Sequence, residues 1–242
     1  ICAYEEYTTG RARRECVALL CQRYADLVAI GTIADVMPIR GENKLIVSYG
    51  LGRMEKERRP GLAALMAAAS PKSEGAPRRA RAEQKITSGY IGYTLAPRLN
   101  AAGRIRSASI AVELFLTSDP EKAKRIAEEL CEANKERQVE ENRITAEAFE
   151  KIEKEHDFEC DPVIVLDDDS WHHGVIGIVS SRVTERYGLP SILVSFEGGG
   201  DGKGSGRSIK GFSLMDALSS WIRRIQLMIV FSASRSFSRL MG

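Results

Sequence analysis

The segment from Ser118 to about Glu155 constrains the fold of this chain more than any other. Ser118-Asp119-Pro120-Glu121 is a helix start: a capping residue, a proline in the first turn where its missing N–H costs nothing, and an acid at the positive end of the dipole. The spacing predicts one helix running to about Glu155, roughly 50 Å long at 1.5 Å per residue. Apolar stripes mark its ends, Ile126 and Leu130 on one side and Ile144, Ala148 and Ile152 on the other. Its middle, Asn134 to Arg143, is polar nearly all round and leaves almost nothing to fill a coiled-coil seam. A helix apolar at both ends and polar between them suits a bridge between two domains.

The 242 residues allow one large or two modest domains. A hydrophobic fraction of 43% and a charged fraction of 28% describe an ordinary globular chain. A net charge of +2 is too mild to announce nucleic-acid binding, so any basic surface must be local. Five cysteines (Cys2, Cys16, Cys21, Cys131, Cys160) stand apart without a C-x-x-C pair and read as reduced thiols of a cytoplasmic protein. No apolar run approaches the ~18 residues of a membrane span, and no signal-peptide pattern is present, so no membrane partner is expected.

Before the long helix, Arg11 to Tyr24 reads as a helix with Val17, Leu20 and Cys21 on one face. It leads into Leu27-Val-Ala-Ile30, a short apolar run that reads as a strand buried on both faces. Asp35 arrives just past that run, where carboxylates meet ligands in open α/β sheets. Taken alone, Asp35 is more readily a loop acid or a helix cap. Glu42 to Met54 is a second helix, ended near Gly50 and Gly52, and Pro60-Gly61 opens a third through Ala69. Ser70 to Arg81 has the composition of a solvated basic loop.

In Tyr90 to Arg104, Pro97, Gly92 and Gly103 argue against one continuous helix. Arg98, Asn100 and Arg104 sit there among small residues that let a phosphate approach, although on spacing alone the arginines more readily pair with surface acids. Ser109 to Leu116 is an apolar helix.

After the long helix, Pro162 to Leu166 reads as a strand closed by Asp167-Asp168-Asp169. Gly174 to Arg186 follows as an amphipathic helix and Ser191 to Phe196 as a strand. Strand, helix, strand at this spacing is a βαβ unit with parallel strands. Between its first strand and helix lies Ser170-Trp-His-His-Gly174, a helix N-terminus suited to an anion, although a His pair in a loop is more often just polar surface. His172 and His173 are adjacent, are expected to point apart, and make no zinc site. Gly198 to Ser208 interleaves Lys203, Ser205, Arg207 and Ser208 with glycines. This composition suits either a phosphate cradle or a flexible loop, and its spacing is not that of a Walker loop.

Four segments together resemble the RecJ single-strand exonucleases of the DHH phosphoesterase superfamily. They are Gly31-Thr-Ile-Ala-Asp35-Val-Met-Pro-Ile39 with Gly41-Glu-Asn43, then Leu95-Ala-Pro-Arg-Leu-Asn-Ala-Ala-Gly-Arg104, Trp171-His-His-Gly-Val-Ile-Gly-Ile-Val-Ser-Ser-Arg182 and Lys203-Gly-Ser-Gly-Arg-Ser-Ile209. They fall in the family's order over Asp26 to about Leu218.

The resemblance implies an α/β fold of two α/β domains joined by a long helix, the first domain incomplete. Residues 1–117 match the end of the catalytic domain, 118–157 the connecting helix, 158–220 a DHHA1-like nucleic-acid-binding domain, and 221–242 an atypical tail. It also implies Mn²⁺ or Mg²⁺ at a two-metal site, and single-stranded DNA with a 5′ phosphate digested from the 5′ end. Asp35 matches a metal ligand. Arg98, Asn100 and Arg104 match a phosphate-contacting loop, His172 lies near the DNA groove that the resemblance implies between the two domains, and Ser205, Gly206, Arg207 and Ser208 match the Gly-rich loop that holds the 5′ end.

Nothing before Ile33 resembles the family's earlier aspartates or its Asp-His-His triplet, and Trp221 to Gly242 does not resemble its Gly-Gly-His segment. The expectation is therefore part of such an enzyme, inactive alone. The alternatives are a non-catalytic single-strand-binding module and a phosphoesterase of short oligonucleotides or cyclic dinucleotides.

Overall fold

The computed structural model describes residues 1–70, 85–196 and 201–220. The expected basic loop at Ser70 to Arg81 lies outside these residues from position 71 on, as do the first glycines of the Gly-rich stretch and the tail from Trp221. The chain divides into two compact units, Ile1–Gln138 and Val139–Gly242.

The first unit is helical throughout its described residues, not α/β. It contains α1 (Cys2–Thr9), α2 (Arg13–Ala34), α3 (Gly41–Lys56) and α4 (Pro60–Ala69). Then come α5 (Ser88–Tyr90), a π turn (Ile91–Leu95), α6 (Ala96–Ile105), α7 (Ser109–Leu116) and the first part of α8 (Pro120–Glu155). The expected strand Leu27–Ile30 is an interior stretch of α2. Burial along it falls on Ala25, Asp26, Ala29, Ile30 and Ile33, a spacing of three and four that belongs to a helix. Four apolar residues in a row do not distinguish a buried strand from one turn of a buried helix.

Gly50 does not end α3. A Cβ there would lie 2.4 Å from the Ala25 carbonyl oxygen and 2.5 Å from the Ala29 Cβ, so the glycine lets α3 press against the backbone of α2. Gly61 does the same for α4 against the Leu114 carbonyl, at 2.0 Å. Around these contacts Ile30, Met54, Leu62, Leu65, Ile91, Leu95, Leu114 and Leu130 form one buried core.

By length and composition α2 could cross a membrane. Its packing is that of a core helix, because buried Asp26 takes a two-pronged ion pair from Arg59, with Nη2 at 3.2 Å from Oδ1. All five cysteines are free.

The Pro97 segment is helical after all. Proline cannot donate a backbone hydrogen bond, and the turn before it widens to π, with Ala96 N–H bonded to the Ile91 carbonyl. Proline thus sits in the first turn of α6, where no donor is needed.

In the second unit, β1 (Ile164–Asp168), α9 (Ile176–Tyr187) and β2 (Ser191–Ser195) form the expected βαβ unit. The strands are parallel, with Ile164 opposite Ser191 and Asp168 opposite Ser195. The Gly-rich stretch is not a loop over Lys203–Arg207: it is β3, antiparallel to β2, with Ser191 opposite Arg207 and Ser195 opposite Lys203. Gly206 packs closely, since a Cβ on it would meet Leu214 Cδ2 at 2.6 Å, whereas Gly204 has room for one. Ile164, Trp171, Val179, Val183 and Leu193 are fully buried.

The middle of α8 is less solvated than its composition implies. Asn134 and Glu141 are buried there. Asn134 Oδ1 accepts from Arg137 Nη2 at 3.3 Å, and Glu141 carries the Arg182 guanidinium.

Candidate metal and nucleic-acid sites

Asp35 closes α2. Its N–H bonds the Gly31 carbonyl at 3.0 Å, and its side chain is exposed at the negative end of the helix dipole, where cations rather than acids are favoured. Next to it Val36 has φ 54°, a left-handed conformation that costs a β-branched residue energy. Met37 N–H on the Thr32 carbonyl (3.1 Å) and Asn43 Nδ2 on the Pro38 carbonyl (3.0 Å) hold the turn. The Asp35 side chain is thus exposed beside a strained residue, while its backbone N–H closes the helix.

Among the described residues, no three His, Cys, Asp or Glu side chains gather as a metal site. One carboxylate falls well short of the six or so ligands a hard divalent ion requires. The described residues therefore do not fit a two-metal centre on their own.

Arg98, Asn100 and Arg104 lie on α6, not on a loop, and they do not share one face. Asn100 and Arg104, four apart, are both exposed on one side of the helix. Arg98 turns elsewhere and gives Nη1 to the Thr94 carbonyl, while its Nε is buried without an acceptor. Ala101 and Ala102 are fully buried beneath them and hold α6 against the core. Just past the helix Arg106 reaches Glu136 at 2.8 Å and Glu129 at 3.2 Å, and these hydrogen bonds raise its pKa further.

In the second unit, Ser205 and Arg207 alternate along β3 and meet the first turns of α9. A Cβ on Gly177 would sit 2.8 Å from Ser205 Oγ and 3.7 Å from Arg207 Nη2, so a larger residue there would push the serine hydroxyl aside. Arg207 Nε donates to Ser181 Oγ at 2.8 Å, and Ser181 in turn reaches the Gly177 carbonyl at 3.2 Å. Gly177 and Ser181 are partners that the sequence reading did not single out. Their signal is the i, i+4 spacing of two small residues on the helix after the histidines.

Ser208 faces away from this cluster, with Oγ bonded to the Phe212 carbonyl at 2.7 Å. His172 Nδ1 accepts from Gly174 N–H at 3.0 Å, which leaves the proton of the neutral ring on Nε2. His172 and His173 do not point apart. Their rings stack at 5.0 Å and 14°, because the turn into α9 folds the two side chains together. Trp171 beside them is fully buried and donates Nε1–H to Glu147 Oε2 at 2.9 Å, so this motif residue anchors the loop.

No family model matches the chain. Among curated proteins, the single-stranded-DNA-specific exonuclease RecJ of Bacillus subtilis is 40% identical over 195 residues, 80% of this chain and 23% of its own length. RecJ of Escherichia coli K12 is 38% identical over 197 residues, 80% of this chain and 32% of its own length. The crystal structure of RecJ with Mg²⁺ from Thermus thermophilus superposes with a TM-score of 0.67 at 35% identity. It covers 84% of this chain, and this chain covers 29% of it. A RecJ structure bound to manganese gives a TM-score of 0.64 at 34% identity, covering 82% of this chain and 46% of its own. The chain thus spans between 23% and 32% of the length of these curated relatives.

Proposed function

Over the residues it shares with its relatives the chain is RecJ-family sequence, and from that premise we propose that it serves the 5′-to-3′ hydrolysis of single-stranded DNA. In this reading Asp35 supplies one ligand to a Mn²⁺ or Mg²⁺ centre, the ions held in the RecJ structures. Such ions, where bound, would supply Lewis-acid polarisation of a phosphate and a hydroxide nucleophile. The described residues are too few to compose that centre, so the chain's own contribution is to bind and orient the strand.

Asn100 and Arg104 offer one face to backbone phosphates, and Arg98 brings its charge to a groove of the first unit. The 5′ phosphate goes to the N-terminal turns of α9, where the helix dipole favours an anion. Ser205 Oγ, the Arg207 guanidinium and His172 Nε2–H then act as donors.

The observation that carries this reading is Arg207 held by Ser181 across Gly177, a guanidinium fixed in place before any ligand arrives. Charge-assisted bonds from such a group are worth roughly 1.5–3 kcal/mol. Arg207→Ala should therefore weaken binding of a 5′-phosphorylated strand by that amount, reduce the preference over a 5′-hydroxyl strand, and lower the salt slope by about 0.7. Equal affinities of parent and variant across a salt titration would sink it. The shortage of metal ligands favours, as a second reading, a single-strand-binding role without hydrolysis. Absence of Mn²⁺-dependent digestion with strong, steeply salt-dependent binding would select that reading, and a shallow salt dependence would point to dinucleotide-sized substrates.

A further inference from the structure

Tyr93 is 90% exposed, although its helical neighbours Ile91 and Leu95 are buried to within 1%. It sits in the π turn, a feature that often marks a functional site because it displaces a side chain from the regular helical register. A bare phenol ring standing off a packed helix is available for stacking on both faces.

The ring lines a groove of about 1530 Å³ within the first unit. One side of the groove is α4, where Ala64 and Ala68 present no bulk. The opposite side is α8, which brings Lys124, Lys135 and Arg137. With Arg98 these make four cations, against the two carboxylates Glu128 and Glu132. Lys135 lies 3.0 Å from Glu132, so part of that charge is internally balanced, yet the remainder is positive. A smooth alanine side, an isolated aromatic ring and a small net positive charge over the groove suit a single nucleic-acid strand. Bases stack on the ring, and the backbone runs along the cations.

We propose that Tyr93 is a base-stacking residue of the strand-binding groove, with the Lys124–Arg137 edge of α8 tracking the phosphates. The proposal rests on the single-strand-binding reading above and adds a residue that positions the strand through its bases. The tyrosine hydroxyl is not required, because every base offers a π face and the ring alone provides the platform.

The test is binding of the full chain to fluorescein-labelled oligothymidylate, and to an oligonucleotide of the same length built from abasic residues, at low salt. Tyr93→Ala should weaken oligothymidylate binding about tenfold, the usual size of one lost base–aromatic stack. Tyr93→Phe should restore affinity to within about twofold of the parent, and the abasic strand should bind parent and Tyr93→Ala alike. Unchanged oligothymidylate binding by Tyr93→Ala, while Arg98→Ala weakens it, overturns the stacking role and leaves the groove in place. An equal loss on intact and abasic strands overturns it too, because the ring would then act only through the fold. No binding by the parent, or no effect of either Arg98→Ala or Tyr93→Ala, removes the strand-binding reading itself and the proposal with it.

Discussion

Lys151 donates from Nζ to Asp168 Oδ2 at 2.8 Å, tying the last turns of α8 to the end of β1. Ser170 bonds the other oxygen twice, through its N–H at 2.8 Å and its hydroxyl at 2.7 Å. The ammonium also lies 5.0 Å from the centre of the Trp171 ring. These contacts put the middle aspartate of the Asp167–Asp169 run to structural use, at the entrance to the His172 loop.

The first prediction follows from the charge on that pair. The Lys151 hydrogen bond, then those from Ser170, pull the Asp168 carboxyl down to about 2, below the ~3.9 of an unfolded chain. A depressed carboxyl contributes stability that is fully present above its unfolded value and is lost as pH falls through the folded one. Partial exposure of both partners holds the contribution to about 1–2 kcal/mol. Denaturant unfolding of Lys151→Met should show that deficit at pH 6 and a narrowing gap to the parent between pH 4 and 2. A gap that stays constant over that range would contradict it.

A second prediction separates two glycines of one helix. Gly50 faces the α2 backbone at 2.4 Å, whereas nothing lies within 4 Å of a Cβ on Gly52. Gly50→Ala forces α2 and α3 apart and should cost about 1–3 kcal/mol. Gly52→Ala should gain about 0.5–1 kcal/mol from helix propensity alone. Opposite signs in thermal unfolding are the expected outcome; the same sign for both would mean that the α2–α3 contact is not as close as described.

How much of this was legible in the sequence follows from how local each signal is. The start of α8 was legible because its cap is local: Asp119 Oδ1 accepts from Glu121 N–H at 2.9 Å, two residues on. The βαβ unit was legible because its periodicity switches at each boundary. The Leu27–Ile30 stretch was not, because its helical register appears only against Gly50, more than twenty positions away. A strand made as Lys-Gly-Ser-Gly-Arg carries no apolar alternation, so only its pairing with β2 reveals it. At the candidate sites, Asp35, Arg207 and their segments were named from motif wording. Ser181 and Gly177 enter through a contact spanning 26 residues, and Tyr93 through its exposure.

The third prediction concerns the strain beside Asp35. Val36 is 87% exposed and makes up for its φ of 54° with little burial. Val36→Gly removes a left-handed penalty of roughly 1–2 kcal/mol and gives back part of it through a more flexible unfolded chain. A net gain of about 0.5–1 kcal/mol is expected in denaturant unfolding. A loss of stability would show that the valine side chain, not the turn geometry, holds this corner.

The last prediction concerns the metal. A ligand that binds only the folded state raises stability by RT ln(1 + [L]/Kd), about 0.4 kcal/mol when its concentration equals Kd. Tight Mn²⁺ binding would need several oxygen or imidazole ligands around one point, and Asp35 has no such company among the described residues. At 1 mM Mn²⁺ the parent chain should therefore melt within about 1 °C of its metal-free value, since 1 kcal/mol moves Tm only ~2–4 °C at this size. Asp35→Ala should not alter that response, and the chain should leave a 5′-labelled single strand intact under the same conditions. A rise of several degrees that vanishes in Asp35→Ala would mean that this chain assembles more ligands around Asp35 than its described residues provide. Mn²⁺-dependent digestion lost in the same variant would go further and place the whole reaction within these 242 residues.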